Sequence, residues 1–351
     1  GQAKIQGMVG DKFSKLEAQL ALRTQSENVN SASPSQKQLS ALLGFYQSGL
    51  LSEAEKLALF ITRNFPQHPF AWKVLGAIFG QTGRTSDALN ANQTAVTLSP
   101  EDAVAYSNLG VTLQELGRLD EAESNFNQAI ALKPDYANAH SNLGITLQEL
   151  GRLDDAEASY RQAIASKPDY ADAHYNLGIT LQKLGRLEEA RDSYNQAITL
   201  KPGYAEAYSN LGNTLKELGR LDEAEASCNQ AIALKPDLAE AHSNLGITLQ
   251  ELGRLEESLD RFTQAIALKQ DYADAHYNLG VSLKELARLD EAEASFNQSI
   301  ALKPDYAEAH SNLGATFQEL GRIDEALESF NHAIAVKPDL PEAHSNLGIM
   351  L

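Results

Sequence analysis

Between residues 103 and 136, apolar and small side chains fall at Tyr106, Leu109, Gly110 and Leu113, then at Ala122, Phe126, Ala129 and Ile130, with polar residues between them. Each set follows the spacing of one helical face, so the stretch predicts two amphipathic helices. Gly117 stands between them, where a left-handed residue stops the first helix. Asp120 with Glu123 three residues on predicts a capping box for the second, and Lys133 before Pro134 suits its end. The element is helix, tight turn, helix.

The same pattern returns every 34 residues. Full repeats begin at Ala103, Ala137, Ala171, Ala205, Ala239, Ala273 and Ala307, and a half repeat begins at Pro341. Two divergent ones precede them, from Pro69 (Trp72, Leu75, Gly76, Phe79, Gly83, Ala88, Ala95, Pro100) and from Ser35 (Phe45, Gly49, Ala54, Pro66). Gly110, Ala122 and Ala129 recur in most repeats and let helix axes approach closely, with Phe126 filling the space left. Departures mark candidate soft joints: Cys228 replaces the ring, Ser258 and Ser299 replace alanines, Ala287 the turn glycine and Gln270 the proline.

This spacing of aromatic or His, Leu-Gly, Leu or Phe, Gly, Ala, Phe or Tyr, Ala and Pro resembles the tetratricopeptide repeat. The resemblance implies an all-α fold, a right-handed superhelix (α-solenoid) of helix-turn-helix units whose first helices line a concave groove. The predicted layout is an amphipathic capping helix and polar linker over 1–34, two divergent repeats over 35–102, seven regular ones over 103–340 and a half repeat over 341–351. The helix at the start carries Met8, Phe13, Leu16 and Leu20 on one side. The half repeat, lacking its second helix, leads us to expect that the native chain continues.

Position six of each regular repeat is asparagine: Asn108, Asn142, Asn176, Asn210, Asn244, Asn278, Asn312 and Asn346. The residue is poor in a helix interior, because its side chain competes for backbone hydrogen bonds. On a helical wheel it lies within about 60° of positions two, nine and thirteen, so the four form a stripe apart from the packing positions four, seven, eight and eleven. An amide offers donors and an acceptor together, and so can hold a peptide unit without reading its side chain. The chain here resembles a narrower group, the superhelices of O-GlcNAc transferase-like (SPINDLY-type) proteins and bacterial tetratricopeptide sulfotransferases. The resemblance to the transferases implies a ladder of groove asparagines gripping an extended peptide. Duplication of an ancestral repeat would also copy the residue, yet positions two and nine have drifted while six has not. Tyr175 and Tyr277 at position five offer rings to a ligand or reflect a duplicated block. Chaperone-binding relatives clamp a terminal carboxylate by a lysine at five and an asparagine at nine, whereas the regular repeats of this chain have serine or tyrosine at five and mostly aliphatic residues at nine.

Acids at positions two and thirteen make the stripe negative, relieved by Lys183, Lys216 and Lys284, and so favour neutral or basic extended segments. With 29 Lys and Arg against 47 Asp and Glu, a net charge of −18 opposes binding to a phosphate backbone, so nucleic acid is not an expected partner. No apolar run is long enough to span a bilayer, and the single cysteine, Cys228, gives no internal disulfide. No membrane partner is expected, and the expected location is cytoplasmic. Six histidines sit at position four, but neighbouring helices stand about 8–10 Å apart, too far for adjacent repeats to share one zinc ion. Serine and histidine in "EAHSNLG" are consecutive and point apart. The sequence therefore predicts a noncatalytic interaction module with no cofactor, binding extended protein segments. Two alternatives stay open: a scaffold that self-associates through its ends, and the substrate-binding part of a glycosyltransferase or sulfotransferase.

Overall fold

The computed structural model describes residues 33–350, which form nineteen helices and no strand. They fall into two compact bodies divided between Leu150 and Gly151. The first holds α1 (Gln36–Gln47), α2 (Leu51–Asn64), α3 (Pro69–Gln81), α4 (Thr85–Leu98), α5 (Ala103–Glu115), α6 (Leu119–Leu132) and α7 (Ala137–Glu149). The second holds α8 (Leu153–Ser166), α9 (Ala171–Lys183), α10 (Leu187–Leu200), α11 (Ala205–Glu217), α12 (Leu221–Leu234), α13 (Ala239–Glu251) and α14 (Leu255–Leu268). It continues through α15 (Ala273–Glu285), α16 (Leu289–Leu302), α17 (Ala307–Glu319), α18 (Ile323–Val336) and α19 (Pro341–Met350). The helix expected around Met8, Phe13, Leu16 and Leu20 lies outside the described residues.

Odd-numbered helices open the repeats and even-numbered ones close them. In each body every helix packs on the next, and successive odd helices also touch, α1 to α3 to α5 to α7 and α9 onward to α19. Among the described residues the backbones of successive even helices do not approach as closely, although Arg161 of α8 reaches Glu189 of α10 at 3.2 Å. The odd helices are therefore the tighter row of a stacked all-α solenoid, as the sequence predicts.

Each turn follows from its glycine. Gly117 adopts φ +70°, a region open to glycine at little cost. The Arg118 N–H then donates to the Leu113 carbonyl at 2.9 Å and that of Gly117 to Gln114 at 2.8 Å, satisfying carbonyls the helix end would leave bare. At Ala287 the same turn is made by a residue with a Cβ, at φ +57°. The capping box expected from Asp120 and Glu123 is not formed. Helix α6 begins at Leu119 with Arg118 as N-cap and no side-chain cap, because the glycine leads straight into the helix and leaves Asp120 inside the first turn. Glu121 instead grips Arg118 at 2.6 Å.

The interior is built from one recurring contact, in which the ring at position twenty-four lies on the glycine at position eight. A Cβ added at Gly110 would stand 2.7 Å from the Phe126 ring, and one at Gly314 2.8 Å from Phe330. Both rings are fully buried. In the repeat from Ala205 the buried Cys228 takes the ring's place, and burial pushes its thiol up to about 12. Ser258 and Ser299, expected as loose points, are buried with their hydroxyls bonded, to Ser282 Oγ at 2.9 Å and to the Ala273 carbonyl at 2.9 Å.

Candidate interaction surface

Odd helices are buried over a wider arc than their apolar pattern suggests. Alanine at position three and threonine or serine at position ten are inaccessible, as at Ala173 and Thr180 or Ala275 and Ser282. The position-ten hydroxyl is satisfied inside its own helix: Thr214 donates to the Asn210 carbonyl at 2.9 Å and Thr248 to that of Asn244 at 2.8 Å. A threonine that bonds back to its own helix loses its polar character toward the neighbours. Hydropathy alone does not reveal this.

What remains open on these helices is the stripe of positions two, six, nine and thirteen. Every row asparagine from Asn108 to Asn346 is half-buried. The position-thirteen residues Glu115, Glu149, Lys183, Glu217, Glu251, Glu285 and Glu319 are exposed. In both bodies an amide thus recurs once per regular repeat, from Asn108 onward, on the accessible edge of the tighter row.

The amides are not alike. Asn210 donates through Nδ2 to the Tyr175 hydroxyl at 3.1 Å, and Asn312 to that of Tyr277 at 3.0 Å. Asn244 reaches Ser209 Oγ at 3.0 Å. Each time the partner is position five of the preceding repeat. Asn278 makes no such bond, and there the Ser243 side chain engages the Tyr272 phenol. The tyrosines are set by their own neighbours. The Tyr175 ring packs on Tyr204 with centroids 4.8 Å apart and on Tyr194 at 6.0 Å; Tyr277 packs on Tyr306 at 4.9 Å and Phe296 at 6.0 Å. Burial first, then the negative charge of Glu206, raises the Tyr175 phenol above its usual range, and burial with Glu308 does the same for Tyr277.

Charge along the stripe is organised by Lys216 and Lys284, expected from the sequence, together with Gln114, Gln182, Lys235 and Lys337, which the sequence did not mark. Position twelve reaches position thirteen of the next repeat: Gln114 to Glu149 at 3.2 Å, Gln182 to Glu217 at 3.1 Å, Lys216 to Glu251 at 3.9 Å and Lys284 to Glu319 at 3.5 Å. Lys216 and Lys284 are therefore ties between repeats, while Lys183 is exposed. Position-two acids pair with a lysine of their own repeat, Glu206 with Lys235 and Glu308 with Lys337, both at 2.9 Å. Hydrogen bonds from these lysines hold both carboxyls below their usual range.

The histidines have a structural task. Nε2 of His140, His242 and His310 meets the carbonyl of the proline six residues earlier at 2.9, 3.0 and 3.0 Å, and Trp72 Nε1 does the same with Pro66 at 2.8 Å. The side chain fastens the preceding turn. No group of histidines, cysteines or acids among the described residues could hold a metal ion.

The tetratricopeptide repeat family matches residues 101–168, 203–271, 237–305 and 271–339 by one of its profiles, and residues 142–205 by another. The chain belongs to the tetratricopeptide repeat family. No curated protein matches it. Among solved structures, this tetratricopeptide chain is similar to one in the APC/C hetero-tetramer Cut9-Hcn1, at 18% identity and a TM-score of 0.62. The match covers 85% of this chain and 59% of that one, so this chain spans less than two thirds of its neighbour's length. PilW, a type IV pilus biogenesis factor, is similar at 23% identity and a TM-score of 0.56, over 60% of this chain and 98% of that one. YrrB, a tetratricopeptide protein with an unusual peptide-binding site, is 26% identical over 54% of this chain and 97% of its own, with a TM-score of 0.46. Cut9-Hcn1 and PilW share the fold. Tetratricopeptide arrays are scaffolds typical of noncatalytic protein–protein interaction modules. Among the described residues no helix is long and apolar enough to cross a membrane.

Proposed function

We propose that this tetratricopeptide array is a noncatalytic recognition module that holds an extended protein segment by its main chain, along the stripe of odd helices. The gripping groups are the amides of Asn108 and Asn142 in the first body and of Asn176, Asn210, Asn244, Asn278, Asn312 and Asn346 in the second. One observation carries the reading: each of these asparagines is half-buried on an accessible helix edge, and this residue of lower helix propensity recurs even at Asn108, Asn142, Asn278 and Asn346, whose side chains make no bond to the preceding repeat among the described residues, unlike Asn210, Asn244 and Asn312. A half-buried amide is also favourable for binding, since it is partly dehydrated and its rotamers are restricted before the ligand arrives.

The preferred ligand is neutral to basic. The position-two acids Glu206 and Glu308 are offset by Lys235 and Lys337, but Glu149 meets the neutral amide of Gln114 and Glu217 those of Gln182 and Asn213. In the arrangement that the sequence resembles, such an array is the recognition arm of an O-GlcNAc transferase-like or sulfotransferase protein, and we place this chain in that role.

Replacing Asn176, Asn210 and Asn244 together by alanine tests the reading, because alanine favours the helix and leaves the stack folded. Titrated with a fluorescein-labelled lysine–alanine peptide, the variant is expected to lose roughly tenfold or more in affinity, at about 1 kcal/mol per lost hydrogen bond. Unchanged affinity with unchanged helicity would refute it.

A further inference from the structure

Tyr175 and Tyr277 stand 102 residues apart, three repeats, in nearly superimposable surroundings. Each phenol oxygen accepts from the amide of the next repeat, at 3.1 and 3.0 Å. Each ring is tilted 35° against a neighbouring tyrosine, at 4.8 and 4.9 Å. Among the described residues neither hydroxyl hydrogen has an acceptor, and both phenols remain protonated at neutral pH because burial disfavours the phenolate. A serine at the same position behaves differently, since Ser209 draws the Asn244 amide down to its own Oγ and carbonyl, at 3.0 and 3.3 Å. Position five thus bears on what the row presents: Ser209 draws its amide against the adjacent helix, whereas each tyrosine braces an amide at the tip of a long side chain and sets an O–H beside it.

We propose that Tyr175 and Tyr277 are two phenol donors of the row, each giving its O–H to a main-chain carbonyl of the bound segment beside the amide it braces. This rests on the main-chain grip of the preceding section. The ligand is then an extended segment held at two stations. Successive odd helices lie about 10 Å apart, so the stations are roughly 30 Å apart and a strand rising about 3.3 Å per residue needs about nine residues to join them. The tyrosines act here through hydroxyl groups, not ring faces, which their own neighbours already occupy.

The experiment compares Tyr175→Phe, Tyr277→Phe and the double variant by fluorescence anisotropy with a labelled lysine–alanine peptide of about twelve residues, long enough to span both stations. Phenylalanine keeps the ring packing and removes the donor. Each single change is expected to weaken binding about threefold and the double change about tenfold, with thermal unfolding unchanged. If the double variant binds like the wild type while the triple asparagine variant loses the peptide, the phenol stations are refuted and the amide row stands. If the wild type binds no peptide, or the triple variant binds as well as the wild type, the row itself falls and the stations with it. Should the double variant fold poorly, Ser243→Tyr decides. It adds a phenol before Asn278 and should raise affinity about threefold, whereas no gain would overturn the proposal.

Discussion

The repeat from Pro69 and the repeat from Ala307 use one frame with the polarity inverted. In the later one Phe330 is fully buried on Gly314, and Asn312 stands half-buried at position six. In the earlier one the asparagine is inside: Asn92 is 1% exposed at position twenty-four, while Val74 at position six is 6% exposed. Asn92 donates to Thr112 Oγ1 at 3.0 Å and to the Asn108 carbonyl at 3.3 Å, but its own Oδ1 is buried without a partner. The hairpin and turn survive the exchange, with Gly83 and Gly321 at φ +72° and +76°. The frame therefore tolerates a polar interior, and asparagine at position six is not required to build a repeat. That separation of fold from stripe is the reason to give the amide row a role outside packing.

Removing the ring should expose the difference most strongly. Phe330→Ala is expected to destabilise the second body by about 3–5 kcal/mol, since it leaves a cavity over Gly314. Asn92→Ala should cost about 1 kcal/mol, because Thr112 keeps its bond to the Asn108 carbonyl. Urea denaturation followed by circular dichroism measures both, and equal losses would erase the contrast. Next in size, Asn92→Phe should stabilise the first body by about 1–2 kcal/mol, as a ring takes its seat on Gly76 and a buried orphan oxygen is removed. A loss would mean that the divergent repeat has adapted around its amide.

Smaller effects concern the joints. Ala287→Gly should stabilise by about 1 kcal/mol, read as a raised unfolding midpoint, because an L-residue with a Cβ is strained at φ +57°. The smallest change is expected at the outer arginines. Arg84, Arg186, Arg254 and Arg322 reach back to Glu55, Glu157, Glu225 and Glu293 of the preceding repeat at 2.5–2.7 Å. In the repeat from Ala171 that acid is replaced by Arg191, which pairs instead with Glu188 and Asp192 of its own helix. Arg322→Gln should lower the midpoint slightly near neutral pH. A hydrogen bond from Arg322 depresses the Glu325 carboxyl below its unfolded value, so its contribution is present above the carboxylate range and disappears as pH falls through the depressed value. Melting curves at neutral and acid pH should therefore differ at the first and converge at the second.

The helices, the turn glycines and the ring on its glycine were legible because each leaves a local signature: a 3.6-residue period, a left-handed stop, a small residue paired with a large one. The accessible stripe followed from the same wheel. Other features were hidden because their partners lie a repeat away. Nothing near Gln114 announces Glu149, and nothing near Ser209 or Tyr175 says which amide will bond to it. Threonine at position ten looks polar in sequence and becomes buried only through its bond to the carbonyl four residues back. The capping box was misread because Asp and Glu at the required spacing also arise inside an ordinary acidic first turn.

The side-chain amide signals of the asparagines, recorded by ¹⁵N NMR while a lysine–alanine peptide is added, address the central claim directly. The account predicts shifts for the row, Asn176, Asn278 and Asn312 among them, with the buried Asn92 unmoved. Peptide binding that moves signals elsewhere and leaves the row untouched would contradict it.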